Sequence, residues 1–90
     1  MNEFKILIAL DTMSRAGIEP TATQMSGMTG ISVYRVRKLL TRLGVEGLVD
    51  RRMVAHRPNI KKSRYWLTGR GIRVIRAYVM GQEQEIERIQ

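Results

Sequence analysis

Arg35, Arg37, Lys38 and Arg42 stand close together behind Ser32 and Tyr34, with no carboxylate among them until Glu46. A second group, Arg57, Lys61, Lys62 and Arg64, surrounds the dipeptide Pro58-Asn59. Guanidinium and ammonium groups are hydrogen-bond donors that hold their charge at neutral pH. Their chemistry is therefore the recognition of anions, not proton transfer or bond making. Four cations around one turn repel each other unless they are solvated or neutralised by a polyanion.

No catalytic set accompanies them. The chain has no cysteine and a single histidine, His56, so thiol nucleophiles, disulfides and Cys-ligated metals are excluded. One imidazole without a nearby carboxylate pair is not a metal site. There is no Ser–His–acid set, no glycine-rich phosphate loop between a strand and a helix, and no acidic metal cluster. The expectation is a protein that is not an enzyme, uses no cofactor and has no evident small-molecule ligand. The longest apolar run, Ile6–Leu10, is flanked by Glu3, Lys5 and Asp11. It is too short to span a membrane and lacks the charge layout of a secretory signal, which places the chain in the cytoplasm.

The ninety residues are 43% hydrophobic, which suits one small domain with one core. Sixteen Lys+Arg against eight Asp+Glu give a formal charge of +8, unevenly placed. Residues 1–30 hold two basic and three acidic side chains, net −1. Residues 31–76 hold thirteen basic side chains against Glu46 and Asp50, net +11, and residues 77–90 hold Arg88 against three glutamates, net −2. A merely solvated surface would scatter its charge. The segregation points instead to a binding face for a polyanion, either nucleic acid or an anionic membrane surface.

The elements that must position these cations follow from hydrophobic period and punctuation. Phe4, Leu7, Ile8, Leu10, Met13 and Ala16 recur at helical spacing, and Gly17 ends that helix. Ile18-Glu19-Pro20 is extended, because the residue before a proline is driven from the α region. Thr21 and Gln24 have capping-box spacing and open a short helix that carries Met25 and Met28 inward and ends near Gly30. Ser32 caps a third helix whose stripe is Val36, Leu40 and Leu43, widened by Leu39. From Gly47 the period changes. Leu48–Ala55 and Arg64–Thr68 read as two strands, and His56–Ser63 as a basic, turn-like tip. Alternation sends Arg51 and Arg52 to opposite faces, and one of Tyr65 and Trp66, taken as Trp66, into the core. After Gly69 the chain is helical again.

Two helices joined by a tight turn at Gly30, the second studded with arginines, are the parts of a helix-turn-helix. Such a helix needs one apolar stripe to seat it and an opposite face of donors for base edges and phosphates. Tyr34 suits a sugar or a thymine methyl. The segment Met25-Ser26-Gly27-Met28-Thr29-Gly30-Ile31-Ser32, the stripe behind it, Gly47-Leu48-Val49 and Tyr65-Trp66-Leu67-Thr68 occur in that order. This ordered set resembles the winged helix-turn-helix domain of bacterial and archaeal transcriptional regulators of the MarR, PadR and PapI-like groups, over about residues 4–76. The resemblance implies a mainly α fold with a β-hairpin wing (α+β), in a domain over 1–69. It implies a recognition helix over about 32–43 and a wing over about 49–68, with Arg57, Lys61, Lys62 and Arg64 at or near the tip.

In residues 70–90, Ile72, Ile75, Val79, Gln82, Ile86 and Ile89 are spaced three and four apart. This seam either completes the monomer core or pairs two copies, with Gln82 setting register. The expectation is a homodimer. The functional expectation is a sequence-specific, nucleoid-associated regulator of transcription on double-stranded DNA, with Ser32, Tyr34, Arg35, Arg37, Lys38, Arg42 and the wing cations as its contacts. The alternatives are a sequence-independent DNA accessory protein and a winged-helix module that binds protein or RNA.

Overall fold

The computed structural model describes the backbone of residues 2–89 and the side chains of residues 2–55 and 57–81. Its elements are α1 (Asn2–Arg15), α2 (Ala22–Thr29), α3 (Val33–Val45), β1 (Val49–Arg57), β2 (Ile60–Leu67) and α4 (Gly69–Ile89). This is a mainly α fold with one antiparallel hairpin, the α+β winged helix that the order of motifs leads one to expect.

The core forms where the apolar stripes of the first three helices meet the base of the hairpin. Ile6, Leu7 and Leu10 of α1, Met25 of α2, and Val36, Leu40 and Leu43 of α3 are all nearly inaccessible. Leu48, Val49, Tyr65 and Leu67 close it from the wing, and Ile75 from α4. Two apolar residues expected inside face outward. Ile8 is 43% exposed and Met28 47% exposed, side by side on the edge where α1 and α2 meet. In α1 the buried stripe follows Ile6, Leu7, Ala9 and Leu10, which rotates Ile8 out of it.

The punctuation is as the sequence implies. Thr21 Oγ1 accepts the Gln24 amide at 3.2 Å while Gln24 Oε1 accepts the Thr21 amide at 2.9 Å, a complete capping box. Gly30 closes α2 in the left-handed region with φ 74°, which glycine adopts without steric cost. Ser32 Oγ then accepts the Arg35 amide and starts α3. Ile18-Glu19-Pro20 runs beside β2, where the Pro20 carbonyl accepts the Tyr65 amide at 3.0 Å.

The hairpin differs from expectation in two ways. Its strands are longer and its turn is only Pro58-Asn59, with Asn59 at φ 68°. Proline first and a left-handed residue second is a type II pattern. On either side of the turn, Arg57 and Ile60–Ser63 of the polar stretch pair as strand, because backbone hydrogen bonding does not depend on an apolar face. The second difference is that Tyr65, not Trp66, enters the core. Val49 pairs with Leu67 and Arg51 with Tyr65, so the odd-numbered residues share the inner face while Trp66 sits opposite Asp50 on the other.

Thr68 ties the wing to α4. Its hydroxyl accepts the Gly71 amide at 3.1 Å and donates to the Gly47 carbonyl at 2.6 Å. On α4, Ile75 is buried in the monomer core, Ile72 packs against it, and Tyr78 stacks on Phe4 with ring centroids 4.3 Å apart. Val79 is 42% exposed. Gln82, Ile86 and Ile89, the far half of the expected seam, lie outside the residues whose side chains are described.

Candidate nucleic-acid interface

On α3 the buried stripe of Val36, Leu39, Leu40 and Leu43 fixes what the other faces present. Tyr34, Lys38, Thr41 and Val45, spaced four, three and four, lie opposite it. All four are exposed, Tyr34 at 69% and Val45 at 85%. Lys38 Nζ sits 4.8 Å from the centre of the Tyr34 ring, a cation–π contact that holds the two side chains together.

The arginines occupy the two flanks. Arg35 and Arg42 share a shallow groove with Ser32, Tyr34 and Lys38 on the side away from the wing. Arg42 leans toward α1, 3.5 Å from Glu3, an exposed pair worth at most about 1 kcal/mol. Arg37 stands on the opposite flank and faces the wing. With Arg51, Lys61, Lys62, Thr23 and Thr41 it lines a cleft of about 390 Å³ between α3 and the hairpin.

Arg57 precedes the turn at the wing tip, and Lys61 and Lys62 follow it on β2, paired with Ala55 and Val54. Arg64 is not at the tip. It pairs with Arg52 nearer the base, half-buried, and donates to the Glu19 carbonyl at 2.7 Å. Arg52 binds the Glu19 carboxylate. Arg51 and Arg52 thus part as alternation requires, one into the cleft and the other onto the α1–α2 connection. Sequence reasoning passed over Glu19, which anchors two wing arginines from 33 and 45 residues away. Only its place in the extended Ile18-Glu19-Pro20 segment hinted at that role.

Among the described residues no group of histidines and carboxylates is placed to hold a metal ion, and no helix is long and apolar enough to cross a membrane. The side chain of His56 lies outside the described residues.

No protein-family model matches the chain, and no curated protein matches it. Solved structures do. The MarR-family transcription regulator SP03579 superposes with a TM-score of 0.81 at 23% identity, over 97% of this chain and 54% of that one. A mutant of Staphylococcus aureus MepR gives 0.83 at 20% identity, over 99% and 63%. Bordetella bronchiseptica BpsR, whose DNA binding is regulated by 6-hydroxynicotinic acid, gives 0.70 at 25% identity, over 94% and 56%. A second MepR mutant was solved bound to an oligodeoxyribonucleotide. The chain thus spans between half and two-thirds of the length of these proteins. It has the winged helix-turn-helix fold of MarR-family transcription regulators.

Proposed function

We propose that this protein is a DNA-binding regulator of transcription that reads duplex DNA sequence-specifically. One observation carries the reading. The outer face of α3 and the cations of the wing flank a common cleft whose lining contains no carboxylate. A helix and a hairpin so arranged suit a major groove and the minor groove beside it, or the phosphates between.

In this reading Tyr34, Arg35, Arg37 and Lys38 meet base edges, while Ser32 and Arg42 meet phosphates at the borders of α3. Arg57, Lys61 and Lys62 hold the adjacent minor groove or its phosphates, and Arg64 braces the wing from behind. The protein acts as a homodimer in the cytoplasm, associated with the nucleoid. Val79, Gln82, Ile86 and Ile89 form the seam beyond the part of α4 that packs on its own core.

Titrating fluorescent duplexes with protein at several salt concentrations tests the reading. Each phosphate neutralised steepens the log–log salt slope by about 0.9. A steep slope with a clear preference among duplexes supports a specific regulator. A steep slope without preference favours an accessory DNA-binding role, and no duplex binding near physiological salt favours a protein or RNA partner.

A further inference from the structure

Arg51 belongs to neither group of cations that the sequence singles out, yet it lines the cleft between α3 and the wing. It extends from the inner face of β1, beside Tyr65, and lines both this cleft and the adjoining pocket next to Val45. Arg37 approaches from α3, and Lys61 and Lys62 from β2. The ion pairs among the described residues engage Arg15, Arg42 and Arg52 and none of these four cations. The neighbouring Asp50 lines the adjoining pocket but not this cleft, and it forms no ion pair with the Arg51 guanidinium; its carboxylate accepts the Arg51 backbone N–H at 2.8 Å. Thr23 and Thr41 add hydroxyls to the same cleft.

We infer that this cleft is a clamp for a backbone phosphate of the bound strand, with the Arg51 guanidinium as its central donor. The inference rests on the DNA-binding reading and adds a residue and a ligand group to it. The geometry follows from the duplex itself. A strand's sugar–phosphate ridge separates the major groove from the minor groove, so whatever lies between a helix in one and a hairpin in the other faces phosphate. A guanidinium fork matches two oxygens of a phosphodiester, which a lysine meets only as a point charge. Lys61, four rungs along the hairpin at about 3.4 Å each, carries the positive wall toward the next phosphate. A phosphate contact sets register and affinity without reading sequence, so Arg51 differs in kind from the outer face of α3.

The test compares wild type, Arg51→Ala, Arg51→Lys and, as a control on the outer side of α4, Arg73→Ala. Duplex affinity is measured across a salt series on a preferred and a random sequence. Arg51→Ala is expected to weaken both sequences alike, by about tenfold or more, and to make the salt slope shallower by about one. Arg51→Lys recovers the slope but not the full affinity, and Arg73→Ala changes neither. An Arg51→Ala protein with wild-type affinity and slope overturns the clamp while leaving DNA binding intact. So does a loss confined to the preferred sequence, which would make Arg51 a base reader. Should the wild type bind no duplex, titrating inorganic phosphate against the backbone amides decides the matter. Saturable shifts at Thr23, Arg51 and Lys61 that vanish in Arg51→Ala support an anion site, and their absence overturns it.

Discussion

A methyl group added to Gly71 would lie 2.1 Å from the carbonyl oxygen of Leu48. That oxygen is backbone and already accepts the Thr68 amide at 3.1 Å, so it cannot swing away as a flexible side chain would. Gly71→Ala must therefore push α4 off the wing. Overpacking at such a point costs about 3 kcal/mol, and thermal denaturation should show a fall of more than about 10 °C, given roughly 4–8 °C per kcal/mol in a domain of this size. The residues of the proposed interface obey a different logic. Arg37→Ala is expected to cost about 1–3 kcal/mol of binding and relax sequence preference, whereas Lys62→Ala weakens all duplexes alike. Equal losses on every sequence for Arg37→Ala, measured by competition binding, would contradict base readout. Residue identity made the outward placing of the α3 cations legible. It misled at Trp66, where size suggested core. Counting by twos from the buried Leu67 leads to Tyr65 instead, because strand phase outranks side-chain volume.

At the level of elements, α3 is seated by its stripe and aimed by its caps. Leu40 is 2% exposed, and Leu40→Ala should cost about 2–5 kcal/mol of stability, read from urea denaturation. Thr21→Ala removes one half of the capping box that sets the start of α2, at about 1 kcal/mol. The helices were legible because periodicity and capping residues agree: Thr21 with Gln24, Gly30, then Ser32 ahead of the Val36–Leu43 stripe. The wing was legible only in outline. Its distal half has exposed residues on both faces, so no apolar alternation announced the strands, and the basic run between His56 and Ser63 resembled a loop. The Thr68 cap of α4 is half legible. Its bond from the Gly71 amide has ordinary N-cap spacing, whereas the Gly47 carbonyl reaches the hydroxyl only once the hairpin has folded.

At the scale of the whole molecule, the cations of α3 and the wing gather about one cleft, while α4 packs on α1 and β2. Twenty-one residues of α4 measure about 31 Å, longer than the 25 Å of the molecule's two short axes. Ile72 and Ile75 account for its first turns, packed on the monomer's own core. A second copy paired beyond Val79 would cover more of the helix. Two recognition helices would then meet half-sites about one helical turn apart on a roughly palindromic operator. Sedimentation showing only monomer at tens of micromolar would contradict the dimer. That α4 serves the core at one end was one of two readings open in the sequence. A three-and-four spacing of isoleucines looks the same whether the partner is α1 or a second chain.

Selection from a random-sequence duplex library at about 150 mM salt, near the physiological ionic strength at which exposed charges are strongly screened, tests the central claim most directly. The predicted result is a recovered inverted-repeat motif, its half-sites one turn apart. A bound pool without a motif would contradict sequence-specific regulation while leaving duplex binding intact. A pool no richer than background would contradict duplex DNA as the partner of the basic face altogether.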